Sequence, residues 1–268
     1  MQAERWALGL EYAGTHFSGW QRQTGQDSIQ GALEHALSSV AAEAVQVTVA
    51  GRTDAGVHAL CQVAHFDTSI LRSPVSWVRG GNRFLPPDIS IRWARRVPPE
   101  FHARFSATGR RYRYLILNRS ERPGLFAGQI AWHPRYLDPV PMQEAAAMLL
   151  GTHDFSAFRA SGCQARSPVR TLRRLDVWRT GNMVVIEAEA NAFLHHMVRN
   201  LAGVLMKVGR GEQPPEWVSG VLASRDRRCA AMTAPGSGLY FAGALYPEVF
   251  GIPACDGLSP ERLFPLLG

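Results

Sequence analysis

Lysine is all but missing from this chain: of 29 basic side chains set against 22 acidic ones, only Lys207 is a lysine. A guanidinium is a planar fork that pairs with phosphate and stacks on bases, whereas an ammonium is a hydrated point charge. A formal charge of +7 carried in this form suits a nucleic-acid partner, although genome composition also enriches arginine. Long apolar runs are missing too, since no window approaches the roughly 18 consecutive apolar residues of a membrane span. The opening MQAERWALGLEYAG lacks the basic-then-apolar layout of a signal peptide, and a cytoplasmic protein is expected. Cys61, Cys163, Cys229 and Cys255 form no CxxC pair, which argues against a zinc ribbon or a dense disulfide framework and makes reduced thiols the expectation. Absent as well are GxxxxGK(S/T), GxGxxG after a strand, GxSxG and HExxH. Nucleotide-driven and zinc-hydrolase chemistry lose their usual signatures with them.

What remains is 268 residues, 46% apolar and 19% charged, enough for one large domain or two modest ones without staples. Arg5 to Glu11 reads as a strand. Asp27 with Gln30 resembles a capping pair, and Ile29, Leu33, Leu37 and Val40 recur at helical spacing. Val45 to Ala50 and Gln62 to Asp67 are β-rich, Pro74 opens a helix toward Phe84, and Ile89 to Val97 is a further strand. This order predicts a split βαβ, ferredoxin-like unit. Pro98-Pro99 marks a boundary, and the pattern then repeats more loosely: a strand at Arg111 to Asn118, a helix at Met142 to Leu150, strands at Leu172 to Thr180 and Met183 to Ala190 joined by Gly181-Asn182, and a last strand from Leu239 to Tyr246. Met197, Leu201, Val204, Leu205 and Val208 give one more helix its apolar stripe. Its other side carries His196, Arg199, Gly203 and Lys207, a basic face with a glycine where something can approach closely. The expected architecture is α+β: two ferredoxin-like halves, 1–99 and 100–268, with mainly antiparallel sheets and a central cleft.

The chemistry-bearing segment is Gly51 to His58, where glycines bracket Arg52 and Asp54 between two strands. A carboxylate on such a loop is presented by a sharp turn, and an Asx-turn with a nearby ion pair is the bland alternative. His195 and His196, at adjacent helical positions, are expected to point about 100° apart and not to share a metal ion.

Glu11 to Gln21 and Gly51 to Ala59 resemble signature blocks of the bacterial tRNA pseudouridine synthase A family. So do Phe105-Ser106-Ala107 with Arg111 to Tyr114, Gly162-Cys163-Gln164 with Ser167 to Arg170, Phe193 to Asn200, and Ala234-Pro235 with Gly238-Leu239-Tyr240. The resemblance covers nearly the whole chain; the one departure is Ala13, where the family usually has aspartate. It implies a cytoplasmic isomerase that turns uridine into pseudouridine at positions 38, 39 and 40 of tRNA. No cofactor and no metal would be needed, and a homodimer would grip the anticodon stem-loop and elbow. By this resemblance Asp54 is the catalytic carboxylate, either attacking ribose C1′ or removing the C2′ proton. Arg52 and Arg199 are its implied partners, Tyr112 stacks on the target uracil, and Leu239 lines the base pocket. Tyr114, on the same strand face as Tyr112, reads as core. Arg22, Arg79, Arg83, Arg110, Arg166 and Arg170 are candidates for phosphate contacts. A tRNA chaperone that only binds would not need the carboxylate; a paralogue acting on another RNA would share it.

Overall fold

A computed structural model describes residues 3–254. The chain divides into two compact units, one of residues 3–109 with 241–254 and one of residues 110–240. Both mix helices with mainly antiparallel sheet, the α+β class that the residue pattern implies.

In the first unit the order is β1 (Glu4–Tyr12), α1 (Ile29–Ala41), β2 (Thr48–Val49), β3 (His58–Thr68), α2 (Pro74–Phe84) and β4 (Ile89–Val97). β1 lies between β4 and β3, antiparallel to both, and β2 pairs with β3. Trp6 on β1 faces Phe66 on β3 in register, and both rings pack on Trp77 of α2, at centroid distances of 6.0 and 5.0 Å. Alternation along the strands thus puts one apolar face under the helix. Pro74 occupies the first turn of α2, and the Ser73 hydroxyl caps it by accepting from the Ser76 N–H. For α1 the cap is Ser28, accepting from Gly31, and not Asp27. The expected strand over 45–50 shrinks to two residues for a local reason. The Val45 N–H donates to the Ser38 hydroxyl and the Val47 N–H to the Glu34 carboxylate, so side chains of α1 take up donors that a ladder would use.

In the second unit, β5 (Gly109–Asn118), β9 (Met183–Ala190), β8 (Val169–Thr180) and β7 (Gly151–Asp154) form an antiparallel array in that spatial order. β6 (Ala131–His133) runs parallel to β5. The turn at Gly181 uses its left-handed φ of 51°. α3 covers Pro139–Ala147, three residues earlier than the apolar spacing suggests, because the Asp138 carboxylate caps it and Pro139 starts it. α4 (Met197–Gly209) buries the predicted stripe of Met197, Leu201, Val204, Leu205 and Val208. α5 (Trp217–Ser224) follows, and the Lys207 ammonium sits 5.1 Å from the Trp217 ring centroid. The last strand, β10 (Leu239–Leu245), starts in this unit, and its residues 241–245 belong to the first. On the sheet face opposite Tyr112 and Tyr114, Arg113 and Arg174 both bind Glu187, and Arg111 binds Glu189. Glu187 is only 4% exposed, so two guanidinium groups on one carboxylate offset its desolvation.

Cys61 is disulfide-bonded, against the expectation of reduced thiols, while Cys163 and Cys229 are free. Among the described residues no helix is long and apolar enough to cross a membrane.

Arg5 ties the crossing after β4. Its guanidinium binds Asp67 through two nitrogens at 2.7 Å and donates to the carbonyls of Pro99 and Phe101. Beside it His65 is buried, its Nδ1 accepting from the Ala103 N–H at 3.1 Å. Burial, and then the positive charge of Arg5, push the His65 imidazole down from 6.5 to about 4. The folded chain therefore keeps His65 neutral to about pH 4, while the unfolded chain takes up the proton near 6.5. This contribution to stability is complete above the unfolded value and declines as the pH falls toward the folded one. Thermal midpoints measured from pH 7.5 to pH 4 should drop, and the drop should be shallower in His65→Asn, which keeps an acceptor and cannot titrate. Equal slopes would show that His65 is not held neutral.

Candidate active site

Asp54 opens a tight turn. The Val57 N–H donates to the Asp54 carbonyl at 3.1 Å, and Gly56, third of the four residues, has φ 72°. A positive φ at that position fits a type II turn, which selects glycine there. The Asp54 side chain is half-buried, and Arg52, two residues earlier, extends into solvent.

Residues 12–20 form the frame of this turn. A Cβ at Gly14 would lie 2.0 Å from the Val57 carbonyl oxygen, and one at Gly19, where φ is 94°, would lie 2.7 Å from the Thr53 oxygen. Only glycine allows the two segments this close. The Trp20 N–H donates to the Thr53 carbonyl, and the Gly14 N–H to His58 Nδ1. Buried Gln62 donates through Nε2 to the Tyr12 oxygen (3.2 Å) and the Gly51 carbonyl (2.8 Å). Since an amide nitrogen only donates, the Tyr12 hydroxyl accepts from it and gives its own proton to Thr53 Oγ1, 2.8 Å away. Burial pushes the Tyr12 phenol up to about 12, opposed by its hydrogen bonds with Thr53 and Gln62. It remains a donor at any working pH. Ala13 sits at the N-cap of the 3-10 turn Gly14–His16 and supplies no side-chain cap. An aspartate there would cap that turn, so the departure at Ala13 removes a local hydrogen bond from the frame and leaves the carboxylate at Asp54 untouched.

Tyr112, Arg199 and Leu239 belong to the second unit. Tyr112 lies on β5 opposite Ala188 of β9, and its ring meets Phe193 edge-on at 5.0 Å. Arg199, in the first turn of α4, donates through Nε to the Ala234 carbonyl at 2.8 Å, and the Ala234 N–H returns a bond to the Arg199 carbonyl. Tyr114 is core, as its face predicts, with its hydroxyl donating to the Pro235 carbonyl. Burial raises its phenol, opposed by the nearby charge of Arg199. A Cβ at Gly238 would lie 2.9 Å from the Tyr114 ring, and Leu239 follows at the start of β10, 6% exposed. The segment 234–239 is thus pinned by Arg199 and Tyr114 together.

Several residues that hold this arrangement were not evident from spacing. Asn200, fully buried, donates to the Phe158 carbonyl (2.8 Å) and accepts from Arg227 (3.0 Å) and the Thr233 hydroxyl (2.7 Å). A polar residue inside the apolar stripe of α4 was the available signal. What approaches Gly203 is the chain itself, because a Cβ there would lie 2.0 Å from the Met232 carbonyl oxygen. His195 and His196 precede α4 instead of lying along it: His196 is its N-cap at φ 60°, and the two rings are 4.0 Å apart. Of the arginines proposed for phosphate contact, Arg79, Arg83 and Arg166 are exposed, Arg22 pairs with buried Glu34 at 3.1 Å, and Arg110 and Arg170 bind backbone carbonyls.

A family model described as tRNA pseudouridine synthase matches residues 10–106 and 145–247. The tRNA pseudouridine synthase A of Dechloromonas aromatica is 55% identical over 249 residues, 93% of this chain and 95% of that one. Those of Alcanivorax borkumensis (54% over 250 residues) and Vibrio cholerae O395 (55% over 249) each cover 93% of this chain and 94% of their own.

Asn200→Ala leaves the Arg227 and Thr233 donors facing a buried void. It should lower unfolding free energy by about 2–4 kcal/mol in urea titrations; a loss under about 1 kcal/mol would show that the 227–234 segment is held by other contacts.

Proposed function

The chain belongs to the tRNA pseudouridine synthase family, and on that premise we propose that it isomerises uridine to pseudouridine at positions 38, 39 and 40 of the tRNA anticodon stem-loop. The observation that carries the reading is the construction around Asp54: two glycines, a buried phenol, a threonine and a glutamine are spent on presenting one half-buried carboxylate. A protein that merely bound RNA would gain nothing from it.

In this reading the bond from ribose C1′ to uracil N1 breaks, the base turns over, and C5 bonds to C1′. The C5 proton leaves and N1 gains a proton, so no electrons are exchanged with another molecule. Asp54 acts as the ionised carboxylate, either by bonding to C1′ or by taking the C2′ proton. Tyr112 offers a ring on which the extruded uracil stacks; such contacts are worth about 1–3 kcal/mol. Arg52 and Arg199 supply positive charge for the carboxylate and the phosphate, and Leu239 an apolar wall for the base. Extruding the target costs a few kcal/mol, which exposed arginines such as Arg79, Arg83 and Arg166 offset by binding phosphates. Two ferredoxin-like halves, one carrying the carboxylate loop and the other the tyrosine strand and basic helix, belong to the same reading. So do a homodimer spanning anticodon stem-loop and elbow, and a cytoplasmic location.

Unmodified tRNA tritiated at uracil C5 tests it. The purified protein, given neither metal nor nucleotide, should release tritium and leave pseudouridine at positions 38 to 40. Asp54→Asn should cut release at least a thousandfold while still binding tRNA. Tight binding with no release from the parent protein would overturn the isomerase and favour a chaperone. Binding should also weaken steeply from about 50 to about 200 mM salt, as phosphate contacts demand.

A further inference from the structure

We propose that Phe105 is a stacking platform for an unpaired RNA base, a contact additional to the base pocket assigned above and resting on the reading of RNA as substrate. The residue ends a row of three rings inside the first unit, of which the outer two are stacked and the inner pair is tilted at 59°. His65 is buried, the His102 ring lies 4.8 Å from it, and Phe105 lies 4.3 Å beyond His102 at an interplanar angle of 29°. The outermost ring is 75% exposed.

A tight turn builds this geometry. The Ser106 N–H donates to the His102 carbonyl, the His102 N–H donates to the Ser106 hydroxyl, and His102 Nδ1 accepts from the N–H groups of both Arg104 and Phe105 at 3.2 Å. Two backbone donors on one ring nitrogen fix the imidazole and require it to be unprotonated there. The phenyl ring is consequently held out by its own backbone and backed by a locked neutral ring. What sets this exposed ring apart from a freely rotating surface side chain is its fixed pose against His102.

The chemistry around the ring selects the partner. Arg104, itself exposed, places its guanidinium carbon 5.5 Å from the Phe105 centroid. A nucleotide offers a flat polarizable face for the ring and a phosphate for the arginine. A lone ring between His102 and Arg104 is not the contiguous apolar patch of a protein interface. The occupant is therefore a base of the substrate RNA, unpaired or at the end of a helix.

Full-length Phe105→Ala, Phe105→Trp, Arg104→Gln and Asp54→Asn, titrated with unmodified tRNA at salt concentrations from about 50 to about 200 mM, test the proposal. Phe105→Ala should bind about tenfold more weakly at every salt concentration, with the slope of log affinity against log salt unchanged, because stacking releases no counterions. Its melting temperature should match the parent's. Phe105→Trp should restore affinity, and tRNA should quench its total tryptophan emission more than it quenches that of the parent, whose seven tryptophans are the baseline. Arg104→Gln should reduce the slope by about 0.7–0.9. Parental affinity in Phe105→Ala overturns the platform, as does a change confined to its sedimentation mass, which would make the ring a contact between copies of the chain. Tritium release by Asp54→Asn at the parental rate would overturn the catalytic assignment alone, because the Phe105 titrations read binding.

Discussion

Carbonyl oxygens of Thr53 and Val57 come so near residues 14 and 19 that no side chain fits between the two segments, and this exclusion governs the candidate active site. The glycines at both positions let the 12–20 segment close over the 53–57 turn. Once closed, it brings Tyr12 within reach of Thr53 and puts Gln62 where a single amide nitrogen serves two acceptors. The order of donation then runs one way, from Gln62 to Tyr12 to Thr53. That direction depends on Tyr12 keeping its proton, which its burial ensures. The turn is thereby braced on both sides, and Asp54 is left half in solvent with its backbone already committed.

The second unit reaches a comparable end by another route. There the close approach is between α4 and the 232–234 segment, at Gly203, and the polar brace is Asn200 with Arg227 and Thr233. Arg199 and Asn200 are neighbours on the helix, yet one is half-buried and the other fully so. Asn200 fastens the loop and Arg199 reads its position through the Ala234 carbonyl. Tyr114 adds a third tether at Pro235, leading into Leu239. Residues with an assigned chemical role and residues with none are consequently interleaved along the same few turns.

Much of this was legible beforehand where local chemistry decides the outcome. Pro74 to Phe84, Ile89 to Val97 and Met183 to Ala190 have the ends that proline, glycine and alternation indicate. The glycine bracket around Asp54 announced a turn. Elements were misjudged where a side chain takes over a backbone group: Glu34 and Ser38 dissolve most of the 45–50 strand, and Asp138 starts α3 early. Spacing could not reveal what a glycine makes room for. Gly203 marked a place of close approach, and what approaches is the protein's own backbone. Nor could it show that His195 and His196 stand before the helix, where a left-handed residue turns their rings together. The assignments at Tyr112, Arg199 and Leu239 came from motif resemblance, because a tyrosine, an arginine and a leucine carry no signal alone.

The arginine ladder and the solitary lysine have a practical side. Because every basic side chain except Lys207 is a guanidinium, amine-directed reagents find a single side-chain amine among the described residues. That amine faces the Trp217 ring between α4 and α5. Acylation there removes the charge the indole sees, so the packing of α4 on α5 can be addressed chemically at one side chain, with no engineered cysteine required.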